Sequence, residues 1–295
     1  MNSCFKISGV GVALITPFDE LMGIDYEALT RLIDSVTAAG VDFLVVLGTT
    51  GEPATLTKAE KRQVVAHCVA HSRLPIVVGI GGNNTAQVIE DILDTDLTGV
   101  SAILSVAPYY NKPNQAGIYA HFAAIAQASP LPVILYNVPG RTGVNMNCCT
   151  ILRLAHDFRG KIIAIKEASG NMSQVAYLLR GREEGFAVIS GDDNTTLPLV
   201  ALGGDGVISV SVNAFPEKFT KMVHAAIGGD FATARSLNME LYGATDMLFE
   251  EGNPVGVKAA LACKGMITNK LRLPLVESSE QLNEKLAAEI KKYGL

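Results

Sequence analysis

Residues 162–170 read IIAIKEASG: four apolar residues in an unbroken run, then Lys166 and Glu167, then a turn of small residues. A strand with one solvated face alternates apolar and polar positions. A run that is apolar throughout needs cover on both faces, the condition of a strand in a parallel sheet overlaid by helices. Seven further runs share this character: GVGVALITPF (9–18), DFLVVLG (42–48), PIVVGIGG (75–82), SAILSVAP (101–108), PVILYNVP (132–139), FAVISGDD (186–193) and GVISVSVN (206–213). Between them lie patterns of helical period. DYEALTRLIDSVTAAG (25–40) places Leu29, Leu32, Ile33 and Val36 on one face and stops at Gly40, and PEKFTKMVHAAIGG (216–229) opens with proline and closes with glycine. Eight such units in residues 1–229 predict an α/β protein of the (β/α)8 TIM-barrel type. Residues 230–295 lack strand runs and are expected to form a C-terminal helical region packed on the barrel.

Composition narrows the classes of function. Hydrophobic residues make up 48% and charged ones 18% of 295 residues, the balance of a folded enzyme-sized body. The net charge is −5, with no basic block or basic-aromatic stripe, which argues against nucleic acid as a partner. The apolar runs stop after five or six residues where a membrane span needs about twenty. MNSCFKISG (1–9) carries no targeting pattern, so a cytoplasmic location is expected. Five cysteines (Cys4, Cys68, Cys148, Cys149, Cys263) are odd in number and none has CxxC spacing, which argues for small core-filling residues rather than a disulfide framework or zinc site. His67 and His71 share a helix face without the following glutamate of a metalloprotease helix. Asp192, Asp193, Asn194 and Thr195 read as a turn and helix N-cap rather than a metal site. No metal and no cofactor is expected.

In a barrel of this type the chemistry collects at the C-terminal ends of the strands. Here those ends carry GTTGE (48–52), PYYNKP (108–113), YNVPGRTG (136–143), KEASG (166–170) and SGDD (190–193). Alternation along the sixth run groups Lys166 with Ile162 and Ala164, and Glu167 with Ile163 and Ile165, so the two charges face opposite sides. With Lys166 turned inward, Tyr136 on the neighbouring strand stands at a similar height. A desolvated amine can attack a ketone carbonyl and form a Schiff base, and a tyrosine beside it can move the protons that each step requires. Thr49 or Thr50 could pass a proton outward. The protonated imine then serves as the electron sink for an enamine, which is class I aldolase chemistry without a metal. GTTGE offers backbone N–H groups and hydroxyls to a carboxylate, and Arg141 can grip a second carboxylate in two-pronged fashion. Glu167 is expected to be structural.

Together GTTGE, PYYNKP, YNVPGRTG, IKEASG, SGDD and GVISV (206–210) resemble the dihydrodipicolinate synthase family of the N-acetylneuraminate lyase superfamily. The likeness extends over nearly the whole chain, including NPVGVKAAL (253–261). It implies that Lys166 is the Schiff-base lysine that condenses with pyruvate and Tyr136 the proton donor and acceptor. Thr49 would be the middle of a proton relay whose outer member, Tyr110, reaches into a neighbouring subunit's site. Thr50 would belong to the pyruvate-carboxylate cradle, and Arg141 would recruit L-aspartate 4-semialdehyde. Gly191 and Ile208 match positions whose backbone shapes the site. The implied product opens the diaminopimelate–lysine pathway, and the implied assembly is a homotetramer built as a dimer of dimers. One departure stands out. Lysine-inhibited members carry histidines after GTTGE and a glutamate in the stretch matching GGNNTAQ (81–87), whereas this chain has Lys58, Lys61 and Gln87 while keeping Asn83 and Tyr109. Weak or absent inhibition by lysine is therefore expected. The rival readings are a sialic-acid or keto-deoxy-sugar lyase working by the same Tyr–Lys pair, and a barrel that has lost catalysis.

Overall fold

The computed structural model describes residues 6–295; Cys4 and most of the stretch read for a targeting signal lie outside them. All eight apolar runs are strands: β1 (Gly9–Ala13), β2 (Phe43–Val46), β3 (Ile76–Gly79), β4 (Ala102–Val106), β5 (Val133–Asn137), β6 (Ile162–Glu167), β7 (Ala187–Ser190) and β8 (Gly206–Ser209). They pair in parallel in sequence order, and β8 returns to β1 to close a TIM barrel. Every residue of β1, β2, β5, β6, β7 and β8 is buried, as continuous apolar runs require. The seam between β8 and β1 is tight enough to need glycine, since a Cβ on Gly206 (φ 150°) would stand 2.0 Å from the Gly9 carbonyl oxygen.

Helices α1 (Tyr26–Ala38), α2 (Lys58–His71), α3 (Thr85–Asp94) and α4 (Gln115–Ala128) follow the first four strands. A short α5 (Pro139–Thr142) precedes α6 (Cys148–Asp157), and α7 (Met172–Gly181), α8 (Thr196–Ala201) and α9 (Pro216–Ile227) follow the last three strands. Each of α1, α2, α3, α4, α6 and α7 is capped by the side chain of the residue before it, Asp25, Thr57, Asn84, Asn114, Asn147 and Asn171. The tail is helical, as expected: α10 (Phe231–Glu250), α11 (Val255–Cys263) and α12 (Glu280–Tyr293). Its connecting segment is bonded to the barrel through Arg272, whose guanidinium meets Glu60 of α2 at 2.6 and 3.0 Å. That bond, first among several, holds the Glu60 carboxyl down at about 2.

Strand β6 departs from the expected alternation. Its pairing with β5 steps from Val133–Ile162 to Ile134–Ala164, so Ile163 is an extra residue, a bulge. Ile162 joins Ile165, Leu154 and Leu178 in one apolar cluster, whereas Ile163 joins Ala164 and Ile134 in the other. Lys166 thus shares a face with Ala164 but not with Ile162. The alternation holds only for the last four residues, the ones that aim Lys166 and Glu167. Among the described cysteines only Cys68 fills core, its thiol pushed up to about 12 by burial; Cys149 and Cys263 are exposed. Cys148 is the first residue of α6, where thiolates can be activated, yet burial and the Glu167 carboxylate raise its pKa.

Candidate active site

Register brings the central pair together. Tyr136 and Lys166 are direct partners on β5 and β6, and the Lys166 amine lies 4.2 Å from the centroid of the Tyr136 ring. Both side chains are nearly enclosed, 5% and 6% exposed. Beyond β7, Gly191 supplies room: a Cβ there would lie 2.9 Å from both Cγ and Cε of Lys166. Its N–H donates to the Glu167 carbonyl at 2.8 Å. What Gly191 offers Lys166 is the absence of a side chain. Ile208 is buried in β8, in register with Gly11.

Glu167 points the other way and is fully engaged. Its carboxylate accepts from Asn137 Nδ2 at 3.0 and 3.1 Å, from Gln174 Nε2 at 2.9 Å and from the Ser169 N–H at 2.8 Å. These bonds tie the end of β6 to β5 and α7 and fix the height at which Lys166 emerges.

GTTGE folds as a tight turn over Thr49–Gly51, with Gly51 and Glu52 donating back to Gly48 and Thr49. Thr50 is buried and Thr49 exposed. A residue of the tail holds the turn: Asn253 Nδ2 donates to Thr50 Oγ1 at 3.0 Å, and the Asn253 carbonyl accepts from Arg141 Nη2 at 3.2 Å. Arg141 sits on α5, a single turn started by Pro139. A cavity of about 550 Å3 opens over this group, walled by Thr49, Tyr136, Arg141 and Asn253. The same cavity runs along α2 past Lys58 and Lys61.

Tyr110 does not join the cluster. It is 88% exposed and holds a left-handed backbone, φ 69°. Its loop is pinned by Asn83, whose side chain donates to the Tyr109 carbonyl while its own carbonyl accepts from Asn111 Nδ2.

Two placements escaped the sequence. Asn253 was legible only as part of a tail helix, because nothing local marks a residue that acts 203 positions away. In SGDD, Asp192 makes the expected turn, its carboxylate accepting from Asn194 and Thr195. Asp193 instead is buried under β8, where it accepts from the N–H groups of Val210 and Ser211 and the Ser211 hydroxyl. Burial pushes its carboxyl pKa up. The N-cap residue of α8 is Thr195, with no side-chain cap bond.

A closed barrel that sets one enclosed lysine against a tyrosine at its C-terminal mouth defines an enzyme of the lysine-dependent (β/α)8 class. The dihydrodipicolinate synthetase family model matches residues 6–293, and the chain belongs to that family. A curated relative from Phocaeicola vulgatus, named 4-hydroxy-tetrahydrodipicolinate synthase, is 52% identical over 285 residues, 96% of each chain. Among solved structures, the chloride-inhibited dihydrodipicolinate synthase of Acinetobacter baumannii complexed with pyruvate is 40% identical. It superposes with a TM-score of 0.94 over 98% of this chain and 99% of that one. The enzyme of Cyanidioschyzon merolae, with lysine bound, is 39% identical with a TM-score of 0.91 over 98% of both chains. The chain is accordingly a lyase, of a family that acts in lysine and diaminopimelate biosynthesis by Schiff-base chemistry. No helix among the described residues is long and apolar enough to cross a membrane.

Proposed function

We propose that this chain condenses pyruvate, carried as a Schiff base on Lys166, with L-aspartate 4-semialdehyde. The observation that carries the reading is the Lys166 amine 4.2 Å from the Tyr136 ring, on paired strand positions beside a glycine that leaves the lysine room. Lys166 attacks the pyruvate ketone; Tyr136 delivers and removes protons as the carbinolamine loses water and as the imine becomes an enamine. The turn at Thr49 and Thr50 receives the pyruvate carboxylate. Its Gly51 and Glu52 N–H groups are engaged inside the turn, which leaves those of Thr49 and Thr50 for the ligand. Thr49 relays protons outward toward Tyr110 of a neighbouring copy, and Arg141 at the rim binds the carboxylate of the semialdehyde. Enamine attack on the aldehyde forms the carbon–carbon bond, and the substrate's amine then displaces Lys166 by cyclisation. Gly191 keeps the space for the lysine, and the backbone of Ile208 helps to shape the site. In this reading the barrel of residues 1–229 and the tail of 230–295 work as one unit, in a cytoplasmic homotetramer made of two dimers.

Borohydride reduction with pyruvate, followed by peptide mass mapping, tests the reading: an adduct on Lys166 is expected, and its absence overturns the assignment. Turnover with aspartate semialdehyde but not N-acetylneuraminate separates the synthase from the sugar lyases of its superfamily.

Weak or absent lysine inhibition belongs to the same proposal. Lys58 and Lys61 wall the cavity, and by the sequence resemblance Gln87 replaces a carboxylate that would favour a cation. Asp91 pairs with Lys58 at 3.3 Å, so repulsion of a cationic ligand falls mainly on Lys61. Millimolar L-lysine is expected to leave turnover unchanged, and half-inhibition at submillimolar lysine would contradict this.

A further inference from the structure

The tail holds the Thr49–Gly51 turn at a second point. Glu52 follows the turn in a left-handed conformation, φ 52°, and its N–H donates to the Thr49 carbonyl. Its carboxylate meets Lys258 of α11, with Nζ 2.5 Å from Oε1 and the two side chains 0% and 1% exposed. The Lys258 amine also donates to the Lys270 carbonyl at 2.9 Å and lies 4.1 Å from the centroid of the Phe18 ring. Desolvation pushes it down to about 8, against the pull of Glu52. A buried pair of this kind returns in attraction roughly what it costs in desolvation, and apolar residues of equal volume often serve packing as well. Its placement gives it another use. Asn253 donates to Thr50 and Lys258 grips Glu52, so one short segment, 253–258, holds the turn from both sides.

We propose that Glu52 and Lys258 are a positioning pair for the Schiff-base site. The pair fixes the left-handed residue that closes the turn, and so aims the Thr49 hydroxyl and the turn's backbone N–H groups at the substrate on Lys166. This rests on Lys166 being the imine-forming residue. Glu52 lies in the cavity wall, but its side chain is only 1% exposed and that of Lys258 0%, so the pair acts through the turn. A displacement of about 1 Å at that turn is enough to lower turnover by up to about a hundredfold.

The test uses two variants of the full chain. Glu52→Gln combined with Lys258→Met removes both charges at nearly constant volume, and Glu52→Asp keeps the charge but shortens its reach by one methylene. Each is compared with the parent by thermal melting, by borohydride trapping of pyruvate on Lys166, and by kcat per trappable site with KM for both substrates. The double variant is expected to melt within a few degrees of the parent and to trap pyruvate, while kcat per trapped site falls about tenfold or more. Glu52→Asp is expected to fall in the same direction and decides the matter if the double variant does not fold. KM for the aldehyde, bound at Arg141, should not move. Parental kcat per trapped site, or a loss confined to melting temperature or to the amount of trappable enzyme, overturns the proposal. No adduct on the parent chain overturns the reading of Lys166 and this inference with it; an adduct with unchanged variants overturns this inference alone.

Discussion

A Cβ on Gly191 would stand 2.9 Å from Cγ and Cε of Lys166 and 2.8 Å from the Cβ of Ala168. The backbone there needs no positive φ, so Gly191→Ala meets a steric rather than a conformational objection. Of the two neighbouring side chains the lysine stem is the more mobile and is the one that must yield. Gly191→Ala is therefore expected to cost only about 1–3 kcal/mol of stability, while slowing pyruvate trapping on Lys166 about tenfold or more, because a displaced amine no longer sits in an attacking geometry. A trapping rate equal to that of the parent would show that the close fit is idle. Tyr136→Phe separates packing from proton transfer. The ring 4.2 Å from the amine is kept and only the hydroxyl is lost. Pyruvate should still be trapped, with kcat reduced about 10²–10⁴-fold. Steady-state turnover beside the trapping assay distinguishes this from a collapsed site.

At the scale of elements, the strands were legible because burial on both faces writes itself as uninterrupted β-branched sequence, and β1 to β8 fall inside the eight apolar runs. The Tyr136–Lys166 pairing followed from strand order and height. The bulge at Ile163 was not legible, since IIAI offers no polar residue to betray which side chain has changed face. Asp193 was misread for a related reason: SGDDNTT has the local signature of a turn, and the partners of its carboxylate, Val210 and Ser211, lie 17 and 18 positions on, just past the end of β8. Another such long-range contact joins α3 and α4. His121, 4% exposed, meets Thr85 Oγ1 at 2.9 Å through Nδ1, and burial lowers its pKa to about 4. In the unfolded chain a histidine titrates near 6.5, so below that pH the unfolded state binds the proton that the folded state refuses. The stability is present above about pH 6.5 and is lost as pH falls toward 4. Between pH 7 and pH 5 this group alone should remove about 2 kcal/mol. Urea unfolding of the parent and of His121→Gln at the two pH values checks it: the variant should lose about that much less on acidification, and equal losses would contradict the assignment.

For the whole molecule, the sequence placed the tail beside the barrel but not in its site. Asn253, Lys258 and Arg272 each reach a barrel residue at least 200 positions away, a separation that no pattern of period 2 or 3.6 can encode. Tyr110 stands apart from the cavity: it is 88% exposed and left-handed, on a loop held by Asn83. If Tyr110 completes the relay of a second copy, as proposed, the two defects Lys166→Ala and Tyr110→Phe fall together in one site of a mixed dimer. The site with the intact lysine then receives an intact tyrosine from the Lys166→Ala partner, while the other site carries both defects. Random pairing in equal co-expression makes half the dimers mixed, each with one good site of two, so activity should recover to about one quarter of the parent's although each variant alone is nearly inactive. Recovery at that level in the unfractionated mixture, or to about one half of the parent's in mixed dimers isolated through two separate tags, requires that Tyr110 act across the subunit boundary. Activity no greater than the mean of the two single variants would place its role within its own chain, and the proposed dimer would lose its catalytic reason.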